Sequence, residues 1–287
     1  MTHNKKIVIF ISRLNGGGAE KAALCYGVVL HKAGYEVIIL TLDPTFPMIE
    51  LDQKIKIIKL CNRMRSSIVY LPFFIFKYKP DIIISHLSIA NLISSLVCRI
   101  FPKCISVVTV QNDLTYLLNK KSIKAHLELL PIILANKLSN RVIAVSSGVQ
   151  EFLIKRAHLN DIKSEVIHNP IITEISNYAV HRRNNERKEK YIIAVGRLVP
   201  QKGFDILIKS FKKVLEIFPE AKLYIYGVGS QQLSLEKLII KLSMIKNIKI
   251  KGFSPNISRE LKNADLFVLA SRFEGFSNAL LEALFLG

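Results

Sequence analysis

Acidic side chains are scarce in this chain. Its 287 residues include 22 Asp and Glu against 41 Lys and Arg, a formal net charge of +19. The surplus is not a tail: residues 1–180 carry 22 basic and 12 acidic groups, and residues 181–287 carry 19 and 10. Such a field attracts nucleic acid, anionic lipid or a diphosphate ligand. Aromatics do not interleave with the basic residues, and no nucleic-acid-reading module is visible, which disfavours nucleic acid. An anionic membrane surface is the expected partner, with plain solubility in an Ile/Lys/Asn-rich composition as the alternative. Cysteine is also sparse. Cys25, Cys61, Cys98 and Cys104 form no Cys-x-x-Cys pair, which excludes the common zinc spacings and fits reduced thiols in the cytoplasm. Long apolar runs are missing as well. The run Ile7–Ile11 is too short for a signal-peptide core, and Ile68–Phe76 is far short of a membrane span. A soluble or peripheral protein is expected.

Hydrophobic residues make up 50% of the chain, enough for two α/β domains. Apolar strand-like segments (Lys6–Ser12, Glu36–Leu42, Ile55–Lys59, Asp81–Ser85, Cys104–Val110, Arg141–Val145) alternate with helix-like ones such as Ala19–Lys32. Continuous apolar strands joined by helices predict a parallel sheet covered on both faces. The pattern predicts a first domain over 1–172. Charge without a core face, as in His181–Lys190, marks a linker over 173–190. Alternation restarts in a second domain over 191–287, with strands Tyr191–Val195, Ala221–Tyr226, Ile248–Lys251 and Leu266–Leu269. A helix from Ser277 to Leu286 then meets Gly287, where a further strand is expected. Four strands are fewer than the usual six or so of a doubly wound sheet, so the second domain is expected to be incomplete.

Four loops at the C-terminal ends of strands are candidate sites, because open α/β sheets bind ligands there. Arg13–Glu20 holds Gly16, Gly17 and Gly18, which let backbone approach a phosphate or sugar, or simply form a tight turn. It matches neither Gly-x-Gly-x-x-Gly nor a phosphate-binding loop ending in Gly-Lys-Ser/Thr, which disfavours a nicotinamide-dependent oxidoreductase. Gly196–Gly203 places Arg197 and Lys202 at either end of one loop before a helix. Two cations and a helix N-terminus can neutralise a diphosphate without a metal; solvated basic residues are the alternative. Tyr226–Ser230 carries Gly227 and Gly229, a weaker signal for close approach under a nucleobase. Ser271–Glu282 places Glu274 in a turn and Glu282 eight positions later on a helix. Gly275, Phe276, Ser277 and Asn278 lie between them, with Ser277 suited to cap the helix. Phosphate on the helix N–H groups and hydroxyls on the acids suggest a nucleotide-sugar, against the alternative of surface glutamates on an ordinary loop. His86 sits just past a strand, as a ligand-facing imidazole or a satisfied structural one. Gln111 and Asn112 follow another strand and could contact a sugar. No Asp-x-Asp occurs, so the acidic metal clamp of other sugar-transferring folds is missing.

Together these loops resemble glycosyltransferase family 4. The resembling segments are Asn15–Lys21, Ser85-His86 with Ala90-Asn91, Val142–Gly148, Ile167-His-Asn-Pro170, Ala194–Gly203 and the Glu-x7-Glu pair Glu274 and Glu282. The resemblance implies two Rossmann-like α/β domains facing a central cleft (the GT-B fold), with the second domain truncated. It implies a retaining, metal-independent transfer without cofactor, of a hexosyl or N-acetylhexosaminyl unit. The donor would be a nucleotide-sugar, taken as UDP-linked, and domain closure would assemble the site. Arg197 and Lys202 would hold the diphosphate, Glu274 the donor sugar and Glu282 the ribose; glycines 16 to 18, Gly196, Gly227, Gly229, Gly275, Phe276, Ser277 and Asn278 would line the donor. The first domain, with His86, Gln111 and Asn112, would take a lipid-linked saccharide of surface polysaccharide or lipopolysaccharide synthesis. Its Leu117–Leu130 and Tyr70–Tyr78 stretches would meet the inner face of the cytoplasmic membrane. Many relatives carry a histidine where this chain has Gln111. The alternatives are a sugar-nucleotide epimerase of the same fold, or a remnant that only binds.

Overall fold

A computed structural model describes residues 5–14, 17–45, 51–112, 123–157, 163–170 and 190–287, without the side chains of 123–126 and 156–157. The linker expected over 173–190 lies outside these residues except for Lys190, as does Gly16. The chain divides into two compact units, Met1–Ser176 and Asn177–Gly287.

In the first unit, β1 (Lys6–Phe10), β2 (Glu36–Thr41), β3 (Lys56–Lys59), β4 (Ile82–His86), β5 (Ile105–Val110), β6 (Arg141–Ala144) and β7 (Ser164–Val166) form one parallel sheet in the order β3-β2-β1-β4-β5-β6-β7. The helices are α1 (Gly18–Lys32), α2 (Ser67–Tyr78), α3 (Ser88–Ile100), α4 (Ile123–Leu138) and α5 (Ser147–Ala157). Side chains alternate across a strand, and β1 shows the consequence. Val8 and Phe10 join α2 and α3 in one core; Ile7 and Ile9 join α1 in the other. Val8, Ile9 and Phe10 are all fully buried, which is why this strand reads as an unbroken apolar run. Each such side chain contributes about 1.5–3 kcal/mol of burial. The short strand β7 carries no apolar run and has no signal in the sequence; pairing with β6 defines it.

The second unit has a parallel sheet ordered β10-β9-β8-β11, from β8 (Ile192–Val195), β9 (Leu223–Tyr226), β10 (Ile248–Gly252) and β11 (Leu266–Phe267). Its helices are α6 (Phe204–Ile217), α7 (Gln232–Lys241), α8 (Ile257–Asn263) and α9 (Asn278–Leu286). Ala194, Leu223 and Ile225 pack against α6 and α7. On the other face, Ile193, Tyr224 and Tyr226 pack against α8 and α9. The strand expected over Leu266–Leu269 is shorter than its apolar run: only Leu266 and Phe267 pair with β8, and the Ala270 carbonyl then crowds Gly203.

Strand order places the loops. In the first sheet the chain runs outward from β1 to β3, then crosses back to β4 on the other side of β1. In the second it runs from β8 to β10, then returns to β11 beside β8. Each sheet therefore has a switch point, between β1 and β4 and between β8 and β11. Crevices at such points receive ligands in open α/β sheets.

Candidate functional site

At the C-terminal edge of the second sheet, the loop after β8 lies between the loops after β9 and β11, because those strands flank β8. The β9 side is joined backbone to backbone. Gly196 N donates to the Tyr226 carbonyl at 3.0 Å, and Leu198 N to the Val228 carbonyl at 2.9 Å. The glycines on this side make room for the protein itself. A Cβ on Gly227, which has φ +148°, would stand 1.8 Å from the Gly196 carbonyl oxygen; one on Gly229 would stand 2.4 Å from that of Leu198. Backbone approach to a ligand is thus not needed to explain them. Across Gly196 runs the stem of Lys202, whose Cγ and Cδ would lie 3.3 Å from an added Cβ.

On the β11 side the link is ionic. Lys202 Nζ donates to Glu274 Oε1 at 2.5 Å, and Ser271 Oγ donates to the same oxygen at 2.6 Å. The pair is mostly enclosed, with side chains 16% and 19% exposed. Among the described residues, nothing donates to the other oxygen, Oε2. Glu274 is therefore fixed by one oxygen and can accept a ligand hydroxyl with the other. Lys202 keeps hydrogens for a second acceptor. Arg197 is exposed, and no described carboxylate lies within ion-pair distance of it. The loop thus carries one cation held by a carboxylate and one without a counter-charge among the described residues, a difference the spacing alone does not reveal.

Beyond Glu274, Gly275, Phe276, Ser277 and Asn278 are half-buried and lead into α9. Ser277 Oγ caps the helix by accepting from Leu280 N at 3.4 Å. Glu282 lies in the second turn of α9 and is half-buried. Further along this helix, Leu284 and Phe285 are exposed.

At the first sheet's C-terminal edge, Gly17 lies in the loop after β1, His86 ends β4 and Gln111 directly follows β5, three strands that are neighbours in the sheet. Gly17 N donates to Glu20 Oε2 at 3.0 Å, so a carboxylate already occupies the N-terminus of α1. That makes this end a poor phosphate site and a better partner for hydroxyls. Gly18 begins the helix. His86 departs from the picture of a ligand-facing imidazole: it is completely buried. Thr109 Oγ1 lies 2.9 Å from its Nδ1 and donates its own hydrogen to the Ser85 carbonyl at 3.1 Å. With the Thr109 hydrogen on that carbonyl, the matching tautomer carries the proton on Nδ1 and leaves Nε2 an acceptor. Among the described residues Nε2 has no hydrogen-bond partner, nor has the nearby Tyr26 hydroxyl; the two rings are 5.6 Å apart. Burial lowers the imidazole pKa to about 3 and raises that of Tyr26 to about 12. Leu87, directly after His86, takes φ +75°, a strained conformation for a branched side chain.

Gln111 directly follows β5, where its Oε1 accepts from Asn169 Nδ2 at 2.9 Å and its Nε2 is buried without a partner among the described residues. Asn112 beside it is exposed. Asp205, Arg272, Gln201 and Asn169 also bear on these sites. They give little sequence signal, because their partners lie 58 to 72 residues away.

Known proteins with comparable sequences bear on this arrangement. The model of the family described as Glycosyltransferase Family 4 matches residues 16–175, and that of Glycosyl transferases group 1 matches residues 179–287. An uncharacterized glycosyltransferase of Methanocaldococcus jannaschii is 32% identical, over 72% of this chain and 54% of that protein. The Campylobacter jejuni N-acetylgalactosamine-N,N'-diacetylbacillosaminyl-diphospho-undecaprenol 4-alpha-N-acetylgalactosaminyltransferase is 28% identical, over 98% of this chain and 78% of that one. Thus the chain spans about half of the first relative's length and about three-quarters of the second's. Among solved structures, sucrose-phosphate synthase from Thermosynechococcus elongatus aligns with a TM-score of 0.79 at 16% identity, over 99% of this chain and 80% of its own. Anabaena HepE, solved with UDP and glucose, aligns at 0.77 and 20% identity, over 99% and 79%. These structural likenesses carry the fold, two Rossmann-like α/β domains of the GT-B class. With more than half of its residues matched by the family model, the chain belongs to glycosyltransferase family 4.

Proposed function

We propose that this protein transfers a hexosyl or N-acetylhexosaminyl unit from a nucleotide-sugar, UDP-linked, to a lipid-linked saccharide, with retention and without a metal. The observation that carries this reading is the Lys202–Glu274 pair in the same loop as the exposed Arg197. In transfer, the bond between sugar and diphosphate breaks and negative charge develops on the leaving phosphate. The mostly enclosed Lys202 and the exposed Arg197 stabilise that charge through charge-assisted hydrogen bonds. Glu274 holds the sugar through Oε2 while Oε1 stays on Lys202 and Ser271. The acceptor hydroxyl attacks the face that the leaving group vacates and passes its proton to the departing phosphate oxygen, so no protein nucleophile is required. Glu282 is assigned to the ribose, and the α9 turn from Gly275 to Asn278 to the donor.

The acceptor side is assigned to the first unit, through Gln111 and Asn112. The Campylobacter relative is named for a diphospho-undecaprenol-linked sugar, which supports a lipid-linked acceptor. A peripheral place on the inner face of the cytoplasmic membrane suits α2. Leu71, Phe74 and Ile75 bury one side of that helix, yet Val69, Phe73 and Phe76 remain 57%, 69% and 74% exposed on the other. Arg63, Arg65, Lys77 and Lys79 stand exposed around them. An apolar patch with a cationic rim fits an anionic bilayer. Among the described residues, no helix is long and apolar enough to cross a membrane.

Calorimetry tests the donor assignment. UDP is expected to bind the wild-type protein, and Arg197→Ala is expected to weaken it about tenfold, the usual weight of one charge-assisted phosphate contact. Binding of NAD in place of UDP would contradict the proposal.

A further inference from the structure

The turn carrying Glu274 is tied to the turn carrying Lys202 by contacts that do not involve either residue. Arg272 N donates to the Gln201 carbonyl at 2.8 Å, and Gln201 Nε2 donates to the Phe273 carbonyl at 3.1 Å. Gly203, at φ +65°, lets the Ala270 carbonyl come so near that an added Cβ would stand 2.0 Å from its oxygen. The outermost tie is a fork. Arg272 Nη1 and Nη2 donate to Asp205 Oδ1 and Oδ2 at 2.8 and 2.7 Å, and Nη1 also donates to the Pro200 carbonyl at 2.7 Å.

One guanidinium thus binds the start of the short 3-10 turn Pro200–Lys202 and the first turn of α6 together. Between those two anchors lies Lys202. Two residues along from Arg272 lies Glu274. Asp205 is well placed for this, because a carboxylate in the first turn of a helix is favoured by the free N–H groups there. Hydrogen bonding from Arg272 holds its carboxyl below the usual carboxylate range.

Exposure separates this pair from a purely stabilising one. Side chains of Arg272 and Asp205 are 38% and 28% exposed, and ion pairs so open to water add little to folding. A rigid two-pronged geometry at the rim of a site can still set where the site's charges stand.

We propose that Arg272 and Asp205 are positioning residues, whose fork fixes the Glu274 turn against the Lys202 turn. Neither touches the donor. This inference rests on the assignment of Lys202 and Glu274 to the donor, and its test has one arm that does not.

That arm is hydrogen exchange on the full chain without any ligand. Arg272→Ala is expected to speed amide exchange across residues 270–276 at least tenfold while β8 and β9 keep wild-type protection. Arg272→Lys keeps the charge but not the fork, and is expected to restore protection only in part. The second arm is UDP release from UDP-N-acetylhexosamine and other UDP-sugars. Asp205→Asn and Arg272→Ala are expected to lower kcat about 10- to 100-fold, the scale of a misplaced catalytic group. The donor KM should move less than about threefold, because Arg197 is untouched. Their Tm should stay within about 4 °C of wild type. Glu151→Ala, which breaks the exposed Lys155–Glu151 pair in the first unit, is the control and should change neither readout.

Unchanged exchange at 270–276, or a kcat within twofold of wild type, would overturn the proposal. So would a rate that falls only in proportion to the fraction unfolded. If the wild-type protein turns over no UDP-sugar, the donor assignment fails, and the exchange arm still decides whether the fork fixes the turn.

Discussion

One carboxylate, Glu274, combines a charged anchor and a free acceptor because its two oxygens are treated differently. Oε1 is fixed by Lys202 and Ser271, and Oε2 has no described donor. His86 shows the opposite treatment: it is sealed in the core with its Nε2 unpaired among the described residues. Its folded pKa of about 3 lies below the ordinary value of 6.5, so between these values the unfolded chain binds a proton that the folded chain refuses. Stability from the neutral imidazole is full above pH 6.5 and is lost as pH falls toward 3. Between pH 7 and pH 5 the loss amounts to about 2 kcal/mol. Urea denaturation at both pH values should show that loss in the wild type and a correspondingly smaller one in His86→Gln. An equal loss in both would place the titrating group elsewhere. Sequence alone left His86 open between two roles, because a histidine after a strand looks the same whether its neighbour is solvent or Tyr26.

Elements come together here through glycine. Gly227 must lack a side chain because the loops after β8 and β9 touch backbone to backbone at that point. Gly227→Ala puts a methyl 1.8 Å from the Gly196 oxygen at φ +148°, so the second unit is expected to lose more than about 3 kcal/mol. Gly148, early in α5, has nothing within 4 Å of an added Cβ and no left-handed φ. Its replacement by alanine should stabilise the first unit by about 0.5–1 kcal/mol. Thermal melts of the two variants check both signs. The alternation of apolar strands and amphipathic helices was legible, because both periods are local. The Gly196–Gly203 and Ser271–Glu282 loops were legible as polar, glycine-bearing turns after strands. What joins them was not, since Lys202–Glu274, Gln201–Phe273 and Arg272–Asp205 each span 67 to 72 residues. Nothing in the chain between fixes that register; the placement of β11 beside β8 does.

At the scale of the whole molecule, a net charge of +19 is spread over both units, and the exposed face of α2 adds an apolar patch to it. If the two act together, the protein should float with vesicles containing phosphatidylglycerol and not with neutral ones. High salt should release it, because the surface potential is screened within about 10 Å at 0.1 M. Phe73→Ser with Phe76→Ser should weaken flotation several-fold at low salt, and equal flotation with neutral vesicles would count against an electrostatic surface. The proposed chemistry, however, stands on the second unit's edge, where one cation is paired, one is not, and a carboxylate offers an open oxygen. Its most direct test is nucleotide release from a panel of nucleotide-sugars by the wild-type chain and by Glu274→Ala, with UDP binding measured alongside. UDP release by the wild type, lowered at least about 100-fold in Glu274→Ala with UDP affinity kept within about threefold, is the expected result. Undiminished release by Glu274→Ala would contradict the assignment of this site.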